Sequence, residues 1–149
     1  MSKKKYSEET YANAIFQNAK TGMQSIHDIL PKVTDKKLKA ELKDEYFEFN
    51  KVAEKVIAYA YDNRLPLKDN TFFEKARMWT SVKMSTIFNP FPRNIAQLLL
   101  LGTVMGLATT YKDRSDHKGV SVHLDDILNE LEDTLENNYK NLKEFLKTL

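Results

Sequence analysis

Three glutamates first raise the question of chemistry: Glu41, Glu45 and Glu48, spaced four and then three apart. On a helix that spacing stacks them on one face, where they could hold a cation. Glu45 falls among Leu42, Tyr46 and Phe49, on the apolar side of the same stretch. The simpler reading makes it a rim carboxylate paired to a lysine. The other makes it a buried acid whose pKa is raised or which waits for a cationic partner. The histidines offer less. His27 adjoins Asp28, His123 stands three before Asp126, and His117 lies in a polar run, so each reads as a solvated group near a helix end.

A second group surrounds a pair of prolines. Trp79 and Lys83 are four apart and share a helix face, with Arg77, Met84 and Arg93 close in sequence. Asn94 and Gln97, three apart, open a long apolar stretch. An amide pair at that spacing can hydrogen-bond a ligand, or can satisfy backbone groups freed by the prolines. Trp79 equally reads as core, its indole N–H bonded to a neighbour. Together Trp79, Lys83, Asn94, Gln97 and Met105 make the candidate pocket. Met23, Met84 and Met105 beside Trp79 would give an apolar lining suited to a small apolar ligand or a lipid.

Other chemistries are excluded by what the chain lacks. It has no cysteine, hence no disulfide, thiolate metal site or cysteine nucleophile. It has no Gly-rich phosphate loop and no G-x-S-x-G elbow. No cofactor and no catalytic residue is implied. Net charge is +2, with eight basic and three acidic residues from Arg64 to Arg114, against four basic and eight acidic from Ser115 onward. That is too sparse a basic stripe for nucleic acid, and it suits helices of opposite charge bias lying side by side. The basic start Lys3-Lys4-Lys5 is followed by no apolar run, so the chain is expected in the cytoplasm.

The elements that must position these residues are helices. In 149 residues there are four glycines and four prolines, too little turn chemistry for a many-stranded sheet. One domain over residues 1–149 is expected, with 1–6 disordered. A first helix from Ser7 carries Ala12, Ile15, Ala19, Gly22, Ile26 and Ile29 and stops at Pro31. A second, capped by Thr34 or Asp35, carries Leu42, Tyr46, Phe49, Ala53, Val56 and Ala60, widened by Leu38, Val52 and Ile57, and runs to about Asn63. A third, capped by Asn70 or Thr71, begins at Phe72 and is broken or kinked near Asn89–Pro92. Pro92 then opens a further helical segment, ending near Tyr111.

That segment contains I-A-Q-L-L-L-L-G-T-V-M-G-L-A, from Ile95 to Ala108, uncharged and apolar on nearly every side. Such a helix is expected to be enclosed by others. It falls short of the roughly 18–20 apolar residues that span a bilayer. Gly102 and Gly106, four apart, predict close approach by a neighbouring backbone. After a polar loop from Lys112 to Gly119, a fourth helix capped by Ser121 carries Leu124, Leu128, Leu131, Leu135, Asn138, Leu142, Phe145 and Leu149. Asn138 either fixes register from inside the seam or sits at its rim while Tyr139 turns inward.

Four long helices with a broken third, and the stretches N-A-K-T-G-M-Q-S-I (Asn18 to Ile26), W-T-S-V-K-M (Trp79 to Met84) and Ile95 to Gly106, resemble the ferritin-like bundles. The likeness is closest to the small uncharacterised bacterial members related to rubrerythrins. The resemblance implies an all-α, ferritin-like, up-down four-helix bundle. Metal-binding members take Glu from two helices and Glu-x-x-His from the other two. Here three residues before His27, His117 and His123 stand Gln24, Arg114 and Val120. The usual di-iron site is therefore missing, and ferroxidase, peroxidase and oxygenase roles with it. What remains is a non-enzymatic binding or structural module, expected to self-associate through spare apolar residues such as Phe72, Phe73, Phe88 and Phe91. The alternatives are a carrier of a small apolar molecule and a non-standard metal site at Glu41, Glu45 and Glu48.

Overall fold

The computed structural model describes residues 2–68 and 91–148. Helix α1 spans Lys3–Ile29. The Ser2 hydroxyl accepts from the Lys5 N–H at 3.2 Å, so the helix starts earlier than the expected Ser7 cap and takes in residues assigned to a disordered end. The reason is local: Ser2 offers the same capping oxygen, and the lysines after it are good helix formers. Pro31 ends α1 in a 3-10 turn, Leu30–Lys32.

Asp35 caps α2, Lys36–Asp62, accepting from the Leu38 N–H at 2.9 Å. Its buried stripe is Leu38, Leu42, Glu45, Phe49, Val52, Val56 and Ala60, with Ala53 beside it. Tyr46 and Ile57, expected inside, are exposed. Leu42, Phe49 and Val56 repeat every seven residues, and position 45 fills the inner place between the first two. Tyr46, one residue on, is turned about 100° away.

After α2, Arg64 takes a positive φ of 55° and the chain turns back along α1. Asn13 donates to the Pro66 carbonyl at 2.8 Å and accepts from the Lys68 N–H at 2.7 Å. The expected helix from Phe72, its kink, and Trp79, Lys83 and Met84 all lie outside the described residues. Helix α3, Pro92–Asp116, has proline in its first turn as expected, with Phe91 at the cap. It runs past Tyr111 because Lys112 and Asp116 pair at 2.6 Å on one face and Arg114 reaches Glu132 at 2.6 Å, so most of the expected polar loop is helical. Ser121 caps α4, Val122–Lys147, accepting from the Leu124 N–H at 3.1 Å.

These helices form an all-α four-helix bundle, with no strand among the described residues. In cyclic order they stand α1, α2, α4, α3. The Tyr59 hydroxyl lies 3.2 Å from Glu8 and 3.1 Å from Ser121, joining the end of α2 to the starts of α1 and α4. Tyr11 stacks on His117 with ring centres 4.6 Å apart, joining the start of α1 to the end of α3. Each helix is thus antiparallel to both neighbours. Since α2 and α3 run in the same direction, α2 ends and α3 begins at opposite ends of the bundle.

The core is apolar along the whole length, from Tyr11, Ile15 and Leu124 to Ile29, Leu38 and Leu142. Asn138 is inside, 4% exposed, while Tyr139 is half-buried. The expectation for α3 needs correcting. Ile95, Ala96, Leu98, Thr103 and Leu107 face inward, but Leu101, Val104, Met105 and Tyr111 are about half exposed, so the helix is not enclosed on every side. Among the described residues it alone is long and apolar enough to cross a membrane, and its inward side packs on α1 and α4.

Candidate functional site

Small residues face each other where α1 passes α3. Helix α1 presents Asn18, Thr21, Gly22 and Ser25, and α3 presents Gly102, Thr103, Gly106 and Thr109. Side chains of that size cannot fill the gap between two helices. A cavity of about 360 Å³ lies there, with Phe49 and Glu45 of α2 and Leu135 of α4 at its inner side. A volume near the lower end of the 300–1,000 Å³ typical of ligand pockets suits one small molecule.

The glycines shape this space in different ways. A Cβ on Gly22 would stand 2.6 Å from the Phe49 ring, so Phe49 needs glycine to rest on the α1 backbone. A Cβ on Gly106 would stand 3.0 Å from Leu135 and 3.3 Å from Asn18 Oδ1. At Gly102 nothing lies within 4 Å. The close backbone approach expected at Gly102 and Gly106 is therefore absent. Gly102 borders open cavity, and Gly106 meets side chains.

Two hydroxyls on the wall have spent their hydrogens on their own helix. Thr103 donates to the Leu99 carbonyl at 2.8 Å and Thr109 to the Met105 carbonyl at 3.0 Å, each one turn back on its own helix. Asn18 donates to the Gly106 carbonyl at 3.2 Å. Two buried oxygens have no hydrogen-bond partner among the described residues, Thr21 Oγ1 and Glu45 Oε2.

Glu45 is 3% exposed and lies at no rim, and no lysine answers it among the described residues. Burial pushes its carboxyl up to about 9, helped by the charge of Glu41 one turn away. At neutral pH it keeps its proton. Glu41 is also raised, by burial first, against a bond in which Asn141 Nδ2 donates to it at 2.6 Å. Glu48 points to solvent and pairs with Lys51 at 3.2 Å. The glutamate trio thus separates, and among the described residues no three His, Asp or Glu side chains converge on a common point. The Glu41–Asn141 bond aligns α2 with α4, which places buried Asn138, its Nδ2 unpartnered, level with Glu45.

No protein family, curated protein or solved structure matches the chain.

The residues named from sequence are distributed as follows. Glu45 and Met105 line the cavity. Gln97 is exposed, and Asn94 is half-buried and not on the cavity wall. Met23 is buried in the core away from it. His27 is largely exposed beside Asp28, and His123 sits edge-on to Tyr59 at 5.0 Å. Sequence reasoning misses Asn18, Thr21, Ser25, Thr103 and Thr109 as wall residues. Their signal is present, since 18, 21, 22 and 25 recur at helical spacing with side chains too small to fill a seam.

Proposed function

We propose that this chain is a non-enzymatic binding module that takes one small, largely apolar molecule into the cavity between α1 and α3. The observation that carries this reading is the cavity itself. It is walled by Ile26, Phe49, Leu98, Leu99 and Leu135 and bears a few fixed polar atoms, the usual make-up of a ligand pocket.

Gly102 lines the cavity and a Cβ there meets nothing within 4 Å, so Gly102→Leu puts a bulky side chain at the site without a clash at its first carbon. Calorimetric titration with 1-hexanol and benzyl alcohol tests the reading. Binding by the native chain and its loss in Gly102→Leu, with no loss of thermal stability, supports it. Equal binding by both proteins, or no binding of these alcohols or of the corresponding amines, refutes it.

A second reading is self-association along the outer side of α3. Phe91, Leu101, Val104, Met105 and Tyr111 expose an apolar stripe there. Sedimentation velocity on the native chain and on a Leu101→Lys variant decides it: a dimer lost in the variant supports the reading, and a monomer at every concentration removes it.

A further inference from the structure

We infer that the molecule taken into this cavity is an organic ammonium, an apolar body carrying a protonated amine whose N–H groups meet Glu45. This rests on the ligand-binding reading and adds the ligand's chemical class. The first argument is hydrogen-bond bookkeeping on the wall. Thr103 and Thr109 have given their hydroxyl hydrogens to carbonyls of their own helix, and Asn18 has given one to Gly106. Thr21 Oγ1 and Glu45 Oε2 are buried oxygens without partners. Both can accept from a guest, Glu45 through its carboxylate once the proton has left, and an alkylammonium brings two or three N–H donors on one atom.

The second argument is charge. Glu45 is a nearly fully buried acid beside a second acid, Glu41, with no cation paired to either among the described residues. The other groups level with it are neutral: Thr21 and Ser25 on α1, Asn138 and Asn141 on α4. Helix α3 has no titratable residue between Arg93 and Tyr111. A cationic guest brings the counter-charge that no described residue supplies, inside an apolar wall where an ion pair with good hydrogen bonds is strong. The guest's carbon skeleton would lie against Phe49, Leu98 and Leu135.

Binding has a proton signature. The empty site holds Glu45 as the neutral acid below about pH 9. An alkylamine, like lysine, stays protonated to about pH 10. Forming the ion pair therefore releases the Glu45 proton to solvent, and affinity rises with pH between 7 and 9, by up to tenfold per unit. A neutral guest bound to the neutral acid shows no such rise.

The test compares n-hexylamine and benzylamine with 1-hexanol and benzyl alcohol on the native chain, by calorimetry at pH 7, 8 and 9 in buffers of different ionisation enthalpy. The expected result is at least tenfold tighter binding of each amine than of its alcohol at pH 8, with close to one proton released per amine bound. Glu45→Gln is expected to lose that preference and the pH dependence while still binding the alcohols. Alcohols binding as well as amines, both blocked by Gly102→Leu, would overturn the amine assignment and leave the cavity reading standing. Binding of neither class overturns both. Proton release is measured on the native chain, so that result holds however Glu45→Gln folds.

Discussion

Tyr11 donates its phenol hydrogen to Asp125 Oδ1 at 2.6 Å while its ring lies flat on His117, so one side chain of α1 ties down the start of α4 and the end of α3. Tyr11 is fully buried, and its hydroxyl is held protonated well past the usual range by burial and by Asp125. Tyr11→Phe keeps the stack and removes the bond. Hydrogen bonds to charged groups contribute about 1.5–3 kcal/mol, so a loss of about that size is expected in urea melts. A change below about 0.5 kcal/mol would mean that water replaces the phenol at no cost.

Glu45 gives the fold a distinct response to pH. The unfolded chain ionises Glu45 near its ordinary value of 4.5, while the native chain keeps the proton to about 9. Between those values the native state binds more protons, so raising the pH destabilises it, by up to about 1.4 kcal/mol per unit. Asp113, 7% exposed and pushed up to about 6 by burial against the pull of His117 and Lys112, adds a slope of the same sign at lower pH. Comparing native and Glu45→Gln melts from pH 6.5 to 8.5 isolates the Glu45 part. The variant is expected to be the more stable at pH 8 and nearly flat across that range. Parallel curves would show that Glu45 is solvated.

The glycines are expected to separate by sign. Gly102→Ala meets nothing and gains helix propensity, worth up to about 1 kcal/mol. Gly22→Ala drives a methyl group into the Phe49 ring and is expected to cost about 1–3 kcal/mol, as overpacking does. Equal responses to the two substitutions would contradict the geometry of the α1–α3 gap.

The leucine seam of α4 supports the whole bundle. Leu131 is fully buried and Leu135 2% exposed. Truncating either to alanine is expected to cost about 2–5 kcal/mol. Leu135 borders the cavity, so its loss also enlarges the site, and only Leu135→Ala is expected to change alcohol affinity. A loss under about 1 kcal/mol at both positions would place the seam outside the core.

Much of the fold follows from local physics and was legible residue by residue. Asp35 and Ser121 cap because their side-chain oxygens can reach N–H groups two or three residues on, a matter of a few bonds. Pro92 opens α3 because its ring fixes φ and the lost N–H is one that no helix start uses. Leu124 to Leu142 face inward because the period of hydrophobicity matches the helix turn. The separation of Glu45 from Glu48 was not legible, since periodicity gives a face and leaves open which neighbour covers it. Tyr46 and Glu45 are adjacent in sequence, and only the position of α1 and α4 around α2 decided that the acid is inside and the phenol outside. Gly102 and Gly106 look alike in sequence for the same reason. One borders empty space and the other touches Leu135, and that difference belongs to the spacing between helices, which no single helix encodes.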